Sequence, residues 1–97
     1  MVAGRNEYHR KLNTMWKRND NSLEQTFTFP DFKSAFGFMQ QVAFAAEKAN
    51  HHPDWSNVYN KVHIRLSTHD AGNTITEKDE KLAAAIDKIY ADWTGRK

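Results

Sequence analysis

Residues Glu47–Asp79 read EKANHHPDWSNVYNKVHIRLSTHDAGNTITEKD, and the rest of the chain is organised around this segment. It contains two clusters that hold three of the five histidines of the chain, His51-His52-Pro53 and Ser67-Thr68-His69-Asp70. Both clusters fall at the predicted ends of regular elements. The unperturbed pKa of imidazole is about 6.5, so both of its protonation states are populated near neutral pH. Two such clusters brought together by a fold would form a site for proton transfer.

A hairpin and a long helix are predicted before this segment. Residues 23–29 alternate between apolar and polar after a run of turn-forming residues at 18–22, a pattern typical of a β-hairpin. Asp31 can then act as the N-cap of a helix. The residue before a proline is disfavoured in the helical conformation, so Pro53 predicts that this helix ends at about Asn50.

A strand and a second helix are predicted from position 58 onward. Alternation of apolar with polar residues predicts a single strand, with its apolar positions at Val58, Val62, Ile64 and Leu66. Residues 54–57 read as a loop before this strand, and residues 74–75 as a short extended piece after it. Thr76 followed by Asp79 fits a capping box, which predicts that the last helix begins here. This order of elements predicts an α+β fold in which helices cover one face of an antiparallel sheet.

The long helix has an apolar face that is wider than one sheet requires. Its apolar residues cover about half of the helical wheel, which predicts a second contact with another helix or another subunit. Five residues are assigned to the sheet, namely Phe32, Phe36, Met39, Ala43 and Ala46. Four are assigned to a subunit contact, namely Phe38, Val42, Phe44 and Ala45.

Length and composition exclude several classes of protein. The 97 residues suit one domain, 1–97, in which residues 1–13 permit only a short helix around Tyr8 and Leu12. The chain has no cysteine, which excludes disulfides, thiol catalysis and cysteine-ligated zinc. No apolar run approaches the roughly 20 residues of a membrane span, and no signal-peptide region follows the N-terminus. We therefore expect a cytoplasmic protein without membrane or direct nucleic-acid contacts, with a nuclear location left open.

The spacing of several residues resembles the signature of one known family, the pterin-4a-carbinolamine dehydratases. The signature consists of Glu47, His51-His52-Pro53, Tyr59, His69 and Asp79. The similarity extends to the segments 36–39, 57–64 and 66–69. The resemblance implies a four-stranded antiparallel sheet covered on one face by two or three helices. It also implies homodimers formed through sheet edges and homotetramers formed through long helices.

The resemblance further implies a reaction, the dehydration of 4a-hydroxytetrahydrobiopterin to quinonoid dihydropterin by a hydro-lyase in tetrahydrobiopterin recycling. The pterin is the substrate, and neither a cofactor nor a metal is implied. Some relatives bind the dimerisation region of a homeodomain transcription factor, a role that the signature does not carry over to this chain.

Residue roles follow from the same resemblance. His51 and His69 are expected to transfer protons and His52 to position the substrate, without a decision on which histidine is the acid. Candidates for binding the pterin are Glu47, Asn50, Ser67, Thr68, Asp70 and Asp79. Glu47 lies one helical turn before His51 and is expected to orient it or to favour its charged form. Asn50 stands where many relatives have an acidic residue, so no acidic role is carried over.

Alternative interpretations of the same residues stay open at this point. Asp79 could serve only as the cap of the last helix, and His63 is interpreted as a surface residue. Trp55 and Tyr59 are interpreted as core or pocket-wall residues. The three clustered histidines could instead bind zinc, although adjacent histidines seldom both reach one ion. A further alternative is a non-catalytic oligomerisation or interaction module.

Overall fold

The computed structural model describes residues 16–95, so the predicted short helix around Tyr8 and Leu12 lies outside the described residues. The strands are β1 (Lys17–Arg18), β2 (Leu23–Thr28), β3 (Asp54–Val58) and β4 (Lys61–Leu66). The helices are α1 (Phe32–Ala49) and α2 (Glu77–Gly95), and a 3-10 turn (His69–Ala71) follows β4. Neither helix of the described part is long and apolar enough to cross a membrane.

The four strands form one antiparallel sheet in the order β1-β2-β4-β3. β2 and β4 pair along their whole length, from Leu23 opposite Leu66 to Thr28 opposite Lys61. The predicted four-stranded antiparallel sheet and the α+β fold class are therefore confirmed.

The core lies between one face of this sheet and the two helices. Alternate side chains of β2 and β4 point into it, including Phe27 and Ile64, which are almost completely buried. Phe27 packs against Phe38 of α1 and Tyr90 of α2, with ring centroids 5.0 and 4.8 Å apart. These contacts hold both helices on the same face, so the opposite face of the sheet carries no helix within residues 16–95.

The predicted loop at 54–57 is wrong, because these residues form the edge strand β3. The chain reverses at Tyr59, which has a left-handed φ of 51°, and Val58 pairs with Lys61. The single strand predicted from position 58 is therefore a hairpin. Val58 faces away from the core and is 73% exposed, because it lies on the same side of the sheet as Lys61.

The predicted faces of α1 are wrong in part, although Ala46 is buried in the core as predicted. The core side carries Phe38 and Val42, both 0% exposed, although both were assigned to a subunit contact. Phe32 and Phe36, which were assigned to the sheet, are 49% exposed. The rotation of a helix about its axis is set by its neighbours, and α2 packs alongside α1. Phe44 is exposed as expected.

α2 is anchored at both ends by contacts that involve polar or small residues. At its start, Thr76 N donates to Asp79 Oδ2 (2.8 Å) and Lys78 N donates to Thr76 Oγ1 (3.2 Å), as in the predicted capping box. Near its end, Trp93 lies so close to Gly37 that an added Cβ would be 2.8 Å from the indole ring. A side chain at position 37 would therefore require the partly exposed indole of Trp93 to shift.

Candidate active site

The end of α1 sets the directions of the two adjacent histidines. Asn50 is the C-cap in the left-handed conformation (φ 54°, ψ 44°), which asparagine tolerates better than most residues. The following amide, His51 N, donates to Ala46 O at 3.0 Å. This turn directs His51 into the protein, where it is buried, and leaves His52 exposed. Asn50 thus has a structural role that the sequence did not predict.

His51 is paired with a carboxylate that lies 28 residues further along the chain. Its Nε2 is 2.6 Å from Oδ1 of Asp79, and the Asp79 side chain is completely buried. Glu47 was expected to orient His51, and this expectation is wrong. Glu47 Oε1 instead lies 2.9 Å from Nε2 of His52, in an exposed pair.

Asp79 is the centre of a buried hydrogen-bond network. Its second oxygen, Oδ2, accepts from Thr68 Oγ1 (2.7 Å) and from the Thr76 backbone N–H. The Thr68 and Thr76 hydroxyl oxygens are 2.6 Å apart. Burial raises the pKa of Asp79, but the hydrogen bonds from His51, Thr68 and Thr76 outweigh burial, and the net pKa lies below its ordinary value. Asp79 is therefore ionised at neutral pH.

The second histidine cluster lies just after β4. An isolated bridge between Thr68 and Thr74 closes the loop that contains the 3-10 turn. His69 and Asp70 are exposed in this turn, and His69 Nδ1 lies 3.2 Å from Oδ1 of Asn73. The hydroxyl of Ser67 is buried and has no hydrogen-bond partner among the described residues.

The fold thus brings the two predicted clusters to one end of the molecule. His51 reaches Thr68 through Asp79, and His69 follows Thr68 directly in the chain. The predicted core or pocket-wall role of Tyr59 is wrong, because it lies in the exposed turn at the other end of β4. His63 is on the helix-free sheet face, where it contacts Thr26 and Glu24.

Two polar partners in this site were missed from the sequence, namely Thr76 and Asn73. Thr76 had a detectable signal as a helix cap, but nothing in the sequence indicated that its hydroxyl meets Thr68. Across residues 16–95, no group of three or more His, Asp or Glu side chains is arranged to hold a metal ion. The three histidines instead have three separate partners.

Comparison with known proteins assigns this chain to a family. The family model described as pterin 4 alpha carbinolamine dehydratase matches residues 3–89. A Rhizobium johnstonii protein named provisionally as a pterin-4-alpha-carbinolamine dehydratase is 55% identical over 78 residues, which cover 78% of this chain and 76% of that protein. A protein from Opitutus terrae with the same provisional name is 48% identical over 80 residues, 82% of this chain and 80% of that one.

Solved structures agree with this assignment. A Brucella melitensis crystal structure, described as a transcriptional coactivator/pterin dehydratase, superposes with a TM-score of 0.77 at 36% identity and covers 93% of this chain and 97% of that one. A pterin dehydratase-like RuBisCO assembly factor of the alpha-carboxysome gives a TM-score of 0.63 at 21% identity, over 77% and 86% of the two chains, and shares the fold. The chain belongs to the pterin 4 alpha carbinolamine dehydratase family.

Proposed function

We propose that this chain is a hydro-lyase that removes water from 4a-hydroxytetrahydrobiopterin to give quinonoid dihydropterin in tetrahydrobiopterin recycling. The observation that carries the proposal is the 2.6 Å contact between His51 and the buried carboxylate of Asp79 in a chain of this family. A buried carboxylate that orients an imidazole is a recurrent arrangement for proton transfer. It supports histidine acid–base catalysis.

The reaction requires two proton transfers and no external group. A proton must reach the hydroxyl that leaves carbon 4a, and another must leave the adjacent ring nitrogen. The electrons of that nitrogen expel the hydroxyl, so no covalent intermediate with the protein is needed. His51 is linked through Asp79 to Thr68, the residue before His69, and the two histidines are the proposed pair. Each such group typically contributes about 100- to 10,000-fold to the rate.

Substrate positioning is assigned to the exposed pair of His52 and Glu47. His52 and Glu47 are 2.9 Å apart and are both accessible to a ligand. The Glu47 carboxylate can accept hydrogen bonds from the amino and N–H groups of a pterin, and His52 can donate or accept. Ser67 Oγ, which lacks a partner within residues 16–95, and Asp70 remain further candidates for pterin contacts.

The direct test is a spectrophotometric assay with synthetic 4a-carbinolamine pterin and the purified full-length chain. We expect turnover well above the spontaneous dehydration rate, with no dependence on added metal or cofactor. Turnover equal to the spontaneous rate, in protein that is folded by circular dichroism, would contradict the proposed activity.

A second candidate function, a non-catalytic interaction module, is supported by one feature of α1. Phe32, Phe36 and Phe44 are all exposed, and the rings of Phe32 and Phe36 contact one another at 5.8 Å. The similar Brucella melitensis protein is described as a coactivator as well as a dehydratase. Sedimentation of this chain, alone and after Phe36→Glu, tests whether these rings bury themselves in a homodimer or homotetramer. An oligomer without dehydratase activity would favour the interaction module.

A further inference from the structure

We propose that Thr68 and Thr76 are positioning residues that hold the Asp79 carboxylate against His51, and that this carboxylate fixes the tautomer of His51 and makes Nδ1 the atom that accepts the proton from the pterin. The proposal rests on the proposed dehydratase function for its catalytic part. It also decides which of the paired histidines is the base, a question that neither the residue types nor their spacing could answer.

The direction of each hydrogen bond around Asp79 can be worked out from the donors available. An ionised carboxylate only accepts hydrogen bonds, so Thr68 donates its single hydroxyl proton to Asp79 Oδ2. The Thr68 oxygen then accepts the hydroxyl proton of Thr76, which lies 2.6 Å away. Thr76 in turn accepts from the backbone N–H of Lys78. The chain of donors therefore runs one way, from the first turn of α2 to the carboxylate.

Thr68 has no polar group left for a substrate. Its backbone N–H donates to Thr74 O (2.9 Å), and its carbonyl accepts from the amides of Ala71 (3.2 Å) and Asn73 (3.0 Å). Its hydroxyl is occupied by Asp79 and Thr76, and the residue is buried. We therefore assign Thr68 to positioning rather than to the pterin contact that the resemblance implied.

The same network determines which nitrogen of His51 carries the proton. Because Asp79 accepts only, the Nε2 that faces it at 2.6 Å must be the N–H of the neutral ring. Nδ1 then holds a lone pair, and no described residue forms a hydrogen bond with it. The His51 side chain keeps an exposed fraction of 9%, through which a ligand can approach the ring.

The proton balance of the reaction is consistent with this assignment. Nδ1 of His51 takes the proton from the ring nitrogen, and the electrons of that N–H bond form the C=N bond. The bond from carbon 4a to oxygen breaks, and the hydroxyl leaves as water after it receives a proton from an exposed histidine, His69 in this assignment. The carboxylate of Asp79 stabilises the imidazolium that forms on His51.

Nitrogen-15 NMR of the full chain labelled in histidine tests the tautomer without reference to activity. We expect neutral His51 in the wild type to carry its proton on Nε2, and Thr68→Val and Thr76→Val to give a mixture of tautomers. Thr68→Ser keeps the hydroxyl and should restore the wild-type spectrum. Proton on Nδ1 in the wild type, or unchanged spectra in both valine variants, would overturn the proposal.

Steady-state kinetics of the same variants separate positioning from substrate contact. We expect Thr68→Val to lower kcat by about 10-fold with little change in KM, and Thr68→Ser to recover most of the loss. A rise in KM at constant kcat would mean that Thr68 binds the pterin, and would overturn the positioning role. If the wild type lacks dehydratase activity but its His51 carries the Nε2 proton, the proposed function fails while the tautomer assignment stands.

A matched control lies on the helix-free face of the sheet. Thr26 Oγ1 is 2.9 Å from Nδ1 of His63, so Thr26→Val removes an equivalent threonine–histidine contact outside the site. This variant should change the spectrum of His63 and leave both His51 and kcat unchanged. An equal loss of kcat in Thr26→Val would show that the effect is not specific to the Asp79 network, and would count against the proposal.

Discussion

Oδ1 of Asp79 lies 2.6 Å from Nε2 of His51, and this contact joins the first turn of α2 to the residue that follows the C-cap of α1. Both side chains are buried, so the pair contributes to stability as well as to the proposed chemistry. A buried acceptor that loses its donors costs about 1–3 kcal/mol, which makes the contact measurable in unfolding experiments.

Asp79→Asn should destabilise the protein in a pH-dependent way. The pKa of Asp79 is lowered in the folded state, so its contribution is present above the unfolded value of 3.8 and is lost as pH falls through the folded pKa. Urea unfolding of wild type and variant should differ by about 2 kcal/mol at pH 7 and by progressively less below pH 4. A difference that is constant from pH 3 to pH 7 would contradict this account.

Asp87→Asn should have the opposite pH dependence. Asp87 is buried on α2, where Oδ1 accepts from Trp16 Nε1 at 2.7 Å and Oδ2 has no partner among the described residues. Burial raises the pKa of Asp87 to about 6, and the hydrogen bond from Trp16 only partly offsets this. Asparagine keeps an acceptor for Trp16 but cannot ionise, which makes it a near-isosteric control for charge alone.

For a group whose pKa is raised in the folded state, the contribution to stability changes with pH in the opposite direction. The contribution of Asp87 to stability is present in full below its unfolded pKa of 3.8 and is lost as pH rises through about 6. From pH 4 to pH 7 the wild type should therefore lose up to about 3 kcal/mol relative to Asp87→Asn. Urea unfolding across this range measures the difference, and parallel curves would show that Asp87 does not titrate there.

His51→Ala and His69→Ala should each lower turnover by about 100-fold or more while the protein stays folded. His63→Ala is the matched control, because His63 lies on the helix-free face of the sheet, where its side chain hydrogen-bonds to Thr26 and Glu24. The double variant should lower turnover by less than the product of the two single reductions, since both histidines act on one transition state. Near-normal turnover in either single variant would remove that residue from the mechanism.

His52→Ala should weaken pterin binding more than it slows the chemical step. The reason is its position, since His52 is exposed and is paired with Glu47 rather than with the buried hydrogen-bond network of Asp79. Equilibrium binding of a non-reactive dihydropterin, measured with kcat on the same preparations, separates the two effects. A fall in kcat with unchanged binding would assign His52 to proton transfer instead.

Val42→Glu and Phe44→Glu should differ sharply although the two residues lie on the same helix. Val42 is completely buried and Phe44 is 69% exposed, so only the first substitution places a charge in the core. We expect Val42→Glu to cost several kcal/mol (on the order of 3 or more) or to prevent folding. Phe44→Glu should keep the wild-type free energy of unfolding, and comparable unfolding midpoints for the two variants would contradict the observed orientation of α1.

Local signals in the chain were sufficient for the elements whose ends are set by neighbouring residues. Asp31 as N-cap and Pro53 predicted the ends of α1, and the Thr76 capping box predicted the start of α2, because such signals act over three or four residues. The spacing of the histidine clusters likewise indicated the family.

Contacts between distant segments decided the features of the fold and of the candidate site that local signals did not predict. β3 is a strand only because it pairs with β4, since an edge strand of mixed polarity has no clear periodicity of its own. Whether Phe38 or Phe32 of α1 faces the core depends on where α2 and the sheet lie. His51 pairs with Asp79 rather than with Glu47 because the Asn50 turn directs it inward, toward a helix that begins more than 20 residues later. Such choices depend on the whole fold, because local spacing allows each side chain several partners and only packing selects one.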